Sequence, residues 1–164
     1  MKLRYLNVYI LFLTVCLSTT AKEKDNTQQI EDLLSKAEEM LKADPSKAIY
    51  YSNSAIAEAQ KSGNKSYRTM AQATLGEAYM NQGDFNMGFE VLTNAMETCP
   101  IDCLHIQAHI FLHLSGAYLK LKDLNQATTY VDKATDIYKA LNDSLNLARC
   151  YNARGLVYIQ VPDN

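Results

Sequence analysis

The sequence predicts an all-α protein: a solenoid of antiparallel helix pairs, about seven helices in all. Three observations carry that expectation. Apolar residues recur three and four apart in windows such as "IEDLLSKAEEMLK" and "QATTYVDKATDIYKAL", the period of an amphipathic helix. No window of useful length alternates as a strand does. The chain has only 3 prolines, Pro45, Pro100 and Pro162, and each falls where the apolar period breaks.

The elements follow in order, with bounds read from the period. The first helix, about 27–43, carries "IEDLLSKAEEMLK" and stops before Pro45. The second, about 46–61, spaces its small residues Ala48 and Ala55 along one face. The third, about 65–82, contains "LGEAYMNQ" and ends at the turn signal Gly83-Asp84. The fourth, about 85–98, aligns Gly88, Leu92 and Ala95 and meets Pro100. The fifth, about 104–121, runs through "LHIQAHIFLHLSGAYLK" to a Lys122-Asp123 corner. The sixth, about 124–141, and the seventh, about 144–160, complete the set, with Pro162 beyond. All connections are short, so neighbours form antiparallel hairpins.

These helices repeat. "LGEAYMNQGDF" (75–85) is echoed by "LSGAYLKLKDL" (114–124) and "RGLVYIQVPDN" (154–164). Gly76, Ser115 and Gly155 correspond, as do Tyr79, Tyr118 and Tyr158, at separations of 39 and 40. In the following helices Ala48, Gly88 and Ala127 correspond, as do Ala55, Ala95 and Ala134, at separations of 40 and 39. The small residues sit where one helix must approach its partner, and the tyrosines and leucines fill the remaining space. One such pair cannot bury its own apolar face, whereas three or more stacked pairs can.

Leu75 to Pro100, "LGEAYMNQGDFNMGFEVLTNAMETCP", resembles a tetratricopeptide repeat: Leu-Gly opens the pattern, Tyr79 follows, Gly83-Asp84-Phe85 turns the corner, and Gly88, Leu92, Ala95 and Pro100 complete it. The third copy matches with Ser115 for Gly and Lys122 for the turn Gly, and the first copy is degenerate in its first helix. The resemblance implies a right-handed superhelical domain over 27–164, with repeats near 29–64, 69–102 and 108–141 and an incomplete one at 148–164. That last helix would present apolar surface, to be covered by further repeats of a longer protein or by a homodimer partner.

The chain has 164 residues, 48% hydrophobic and 21% charged, with a net charge of -2 that becomes -4 without Lys2 and Arg4 of residues 1–21. A mildly acidic chain without Lys/Arg clusters argues against nucleic acid as a partner. Residues 1–21 combine the basic start "MKLR", the apolar run "YLNVYILFLTVCL" and the small residues "STTA", the layout of an export signal cut after Ala21. A retained anchor is the alternative, although the run is short of the roughly 20 residues a spanning helix needs. Residues 22–26 are expected to be a short flexible tail. The expected location is the periplasm or cell envelope of a bacterium.

Residues 22–164 hold three cysteines, Cys99, Cys103 and Cys150, so in an oxidising compartment at least one stays free or pairs between chains. A Cys99–Cys103 loop disulfide is one possibility. All 3 histidines, His105, His109 and His113, lie four apart on one helical stripe. His at i and i+4 can bind zinc, and a Cys103, His105 and His109 set, with Cys99, is geometrically open. The competing reading, a solvent-facing groove with no metal and no cofactor, is preferred because no carboxylate is evident nearby to complete a site.

No glycine-rich phosphate loop, no G-x-S-x-G and no Cys/His nucleophile pair is present, so no enzyme is expected. In the resembled family the first helices line a concave face. By register this points to Met70, Ala73, Glu77 and Asn81, to His109, Leu112, Gly116 and Lys120, and to Arg149 and Asn152, as contacts for a protein or peptide partner. The basic set that some members use to clamp a peptide carboxylate is not reproduced. The resemblance therefore implies an interaction module, the sensing part of an envelope signalling protein, with a free periplasmic scaffold as the alternative. An enzymatic or metal-dependent domain on the histidine stripe is the third reading.

Overall fold

A computed structural model of the chain describes residues 26–100 and 103–160. The expected export signal, its cleavage point and the Pro162 turn lie outside them. The described residues form seven helices and no strand: α1 (26–43), α2 (Pro45–Ser62), α3 (Lys65–Gln82), α4 (Phe85–Thr98), α5 (Leu104–Lys120), α6 (Leu124–Ala140) and α7 (Ser144–Ile159). None of them is long and apolar enough to cross a membrane.

Local chemistry explains why the helices start and stop there. Asp44, Asn64, Asp84, Asp123 and Asp143 each precede a helix and accept the backbone N–H of Lys47, Tyr67, Met87, Gln126 and Asn146, satisfying a donor that the first turn leaves open. Among α2 to α7, α5 alone starts without such a cap, after Cys103. α2 and α3 end on Gly63 and Gly83, both left-handed. After α5 and α6 the same left-handed turn falls on Lys122 and Asn142, at φ of 61 and 54. Lys122, the expected substitute for a turn glycine, thus takes up the glycine's conformation at a cost a glycine would not incur.

The small residues act where the period places them. Ala48, Ala55, Ala95, Ala127 and Ala134 are fully buried. Between α3 and α4 the backbones touch: a Cβ on Gly76 would come within 2.6 Å of Leu92 Cγ and 3.2 Å of the Gly88 carbonyl, and one on Gly88 would meet Met80 Cγ at 2.6 Å. In the next pair Ser115 and Ala127 occupy these places, and the buried Ser115 hydroxyl donates to the Ala127 carbonyl at 2.8 Å. The fourth copy departs from expectation. A Cβ on Gly155 would meet nothing within 4 Å, and Tyr158 is 66% exposed. Tyr118, its counterpart, is enclosed by Phe89 and Tyr130, whose rings lie 4.9 and 5.4 Å away. Among the described residues nothing stacks against the outer side of α7 to give its residues that role.

The core is one layer repeated. Ile30 and Leu34 of α1 pack with Ala55, Ala59 and Ala71; Leu92 and Ala95 pack with Ile106, Ile110 and Leu114; Val131, Ala134 and Tyr138 pack with Ala108, Leu112 and Cys150. Each cluster draws on three consecutive helices, which is how a solenoid builds a continuous core. Each helix from α2 onward packs on its chain neighbour, and α3, α5 and α7 also touch in series. The first helices of successive pairs therefore form one face.

Candidate functional site

That face is concave. A cleft of about 330 Å³ is lined by Glu38, Leu41 and Lys42 of α1, Thr74 and Glu77 of α3, His109 of α5 and Arg149 of α7. A second cleft of about 200 Å³ shares Glu77 and reaches Asn81, Leu112, His113, Gly116 and Lys120. A third, of about 80 Å³, lies between Met70, Ala73, Glu38, His105 and His109. Every residue expected on the concave face lines one of these clefts except Asn152. That side chain sits on the outward face of α7, opposite the buried Cys150 and Val157.

The expected residues differ in what they offer. Ala73 is 1% exposed and Leu112 9%, so both belong to the packed floor. Met70 is half-buried between two core clusters. Asn81 donates its amide to the Leu41 carbonyl at 3.1 Å and ties α3 to the end of α1. The Lys120 ammonium lies 5.5 Å over the Phe85 ring. Gly116 leaves open space at its Cβ position. Arg149 donates to Asn146 Oδ1 at 3.1 Å and brings a cation to the cleft.

The histidine stripe divides, which corrects the reading of all three as solvent-facing. His105 is exposed and pairs with Asp143 at 3.2 Å. His113 keeps 13% of its side chain exposed; its Nε2 lies 3.2 Å from Glu77 Oε2 and 3.2 Å from His109 Nε2. Cys99 and Cys103 form a disulfide, and Cys150 is free and buried, so the Cys103, His105 and His109 metal set does not assemble. The carboxylate that seemed missing comes from the preceding repeat, where Glu77 projects from α3 onto α5.

Burial dominates the electrostatics. It pushes the Glu77 carboxyl up to about 7, against the pull of Arg149 and Lys42. It lowers His113 to about 4, assisted by Arg149, and holds His109 well below the ordinary imidazole value, assisted by His113, Arg149 and His105. Glu38 is raised by burial and by Glu77, and Arg149 opposes both. The adjoining clefts therefore set three acids, Glu38, Glu39 and Glu77, and the imidazoles of His109 and His113 against the cations of Arg149 and Lys42.

Glu38 and Lys42 were not among the expected groove residues, whereas His109 and His113 were both read as facing the groove. A signal for Glu38 and Lys42 existed, because they stand one repeat period, 39 residues, before Glu77 and Asn81. The degenerate first helix hid it by lacking Leu-Gly and Tyr. The contact of His113 with Glu77 is legible only once α3 and α5 are placed side by side.

No curated protein matches the chain. A family model described as 26S proteasome subunit RPN7 matches residues 46–163, which takes in α2 through α7 and well over half of the chain. The helical repeat implied by the tetratricopeptide resemblance is what the structure contains, and the matched family gives it a place: the chain belongs to the family described as 26S proteasome subunit RPN7.

Proposed function

We propose that the chain is a non-catalytic interaction module whose concave face holds an extended peptide or a helix of a partner protein. The observation that carries this is the cleft of about 330 Å³ built jointly by α1, α3, α5 and α7. It mixes apolar floor with the charges of Glu38, Lys42, Glu77 and Arg149, as a groove for an amphipathic or extended segment requires. The matched family is named for a subunit of a larger assembly, the 26S proteasome, and a subunit works through its contacts.

The finer reading is a sensory part of an envelope signalling protein, carried out of the cytoplasm by residues 1–21; a free periplasmic scaffold is the alternative. The signal-like order of residues 1–21 and the Cys99–Cys103 disulfide support export. Cross-linked capture from envelope extract tests the groove. Arg149→Glu should lose the partner that the unaltered chain retains, while Lys133→Glu on α6 should keep it. Equal capture by all three would remove the groove from the account. Residues 1–21 fused to a phosphatase that is active only outside the cytoplasm test the location, and an inactive fusion would refute it.

A further inference from the structure

We infer that Glu77, His109 and His113 form a binding site for a divalent transition metal of the zinc class on the floor of the concave face. This stands on a different observation from the partner groove and does not depend on it.

The three side chains offer one ligand atom each, and these atoms all lie within 4.8 Å of one another. His113 Nε2 is 3.2 Å from both His109 Nε2 and Glu77 Oε2. Zinc bonds to nitrogen and oxygen are about 2.0–2.1 Å, which sets tetrahedral ligand atoms about 3.3 Å apart. Two edges of the tetrahedron are thus already at ligand spacing. The third can close by rotation of the Glu77 carboxylate, whose terminal torsion is soft.

Hydrogen bonding accounts for the cluster less well. One Nε2–H on His113 cannot aim at both neighbours, and 3.2 Å is the long limit for such bonds. The ligands also sit on firm supports: His109 and His113 are one turn apart on α5, and Glu77 lies on α3, which packs against it. Two imidazoles with one carboxylate suit zinc rather than magnesium or calcium, which take oxygen ligands. Arg149 opposes a dication nearby, but Glu38 offsets it within the same cleft. Three protein ligands leave one position, facing the clefts that Glu77, His109 and His113 line, for water or a group from a bound partner.

The test uses the purified full chain with Zn2+ or Co2+ alone. Titration should show one ion per chain, and Co2+ should give the intense visible bands of a tetrahedral site. His113→Gln and His109→Gln should abolish both signals. Glu77→Gln should weaken binding at least about tenfold, the scale on which even outer-shell changes act. His105→Ala, exposed and outside the set, should leave binding unchanged. Circular dichroism in chelator checks that each variant keeps its helices, and Zn2+ should raise the melting temperature only where the triad is intact. Absence of binding by the unaltered chain, binding that survives His113→Gln in a folded variant, or equal binding of Mg2+ would overturn the site.

Discussion

At the scale of single residues, the packing of the repeat depends on where a side chain has room. Gly76 and Gly155 hold the same repeat position, yet they should respond oppositely to alanine. In a helix interior alanine is favoured over glycine by about 0.5–1 kcal/mol. At Gly155 nothing opposes that gain, so Gly155→Ala should raise the melting temperature. At Gly76 the new Cβ would stand 2.6 Å from Leu92 Cγ and crowd the Gly88 carbonyl, an overpacking of about 1–3 kcal/mol that outweighs the propensity. Gly76→Ala should melt lower by several degrees, and a rise would show that α3 and α4 can move apart. Tyr138 supplies a second case. Its ring is fully buried, its hydroxyl has no hydrogen-bond partner among the described residues, and burial pushes its pKa up to about 12. Tyr138→Phe removes an unsatisfied polar atom at constant shape and should leave stability equal or higher by up to about 1 kcal/mol in a denaturant titration.

At the scale of elements, the helix starts are the pH-sensitive joints. Hydrogen bonds from Lys47 hold Asp44 below the ordinary aspartate value of 3.8, and hydrogen bonds from Asn146 do the same for Asp143, with His105 adding to the effect. A carboxyl with a depressed folded pKa stabilises the fold above its unfolded value, and the contribution is lost as pH falls through the folded one. Helicity should therefore be insensitive to these groups near neutrality and decline once pH drops below about 4. Asp44→Asn with Asp143→Asn keeps the capping oxygens but removes the titration, so melting temperature against pH should flatten on the acid side. An unchanged acid limb would rule the caps out as its source. The elements themselves were legible because each helix buries one stripe, and that stripe writes its period into the sequence. The concave face was legible as a register position for the same reason, which is how Glu77, His109 and Arg149 could be named. The junction of Glu77 with His113 was not, since it depends on how far one repeat turns relative to the next, and no single helix records that rotation.

At the scale of the whole molecule, contacts among the described residues pass between chain neighbours and along α1, α3, α5 and α7, so each described layer is stabilised chiefly by the layers beside it. Among the described residues α7 has such support from α5 and α6 on one side. It buries Cys150 and Val157 and presents Leu145 at 76%, Leu156 at 56% and Ile159 at 80% exposure on the outward face. These positions follow the helical period, and they gather into one largely apolar strip that also carries Asn152 and borders Arg149. A strip of this kind favours a complementary surface over water by roughly 25 cal/mol for each Å² it covers. A second copy of the chain carries the same strip, and two copies related by a twofold axis would cover both at once. Light scattering on the full chain should then show a mass that rises from monomer towards dimer with concentration. Leu156→Glu combined with Ile159→Lys should hold the mass at monomer and reduce binding of an apolar dye, while the helical signal stays intact because neither side chain contributes to the core. A mass that stays monomeric at every concentration would refute this association and leave the strip to a different partner.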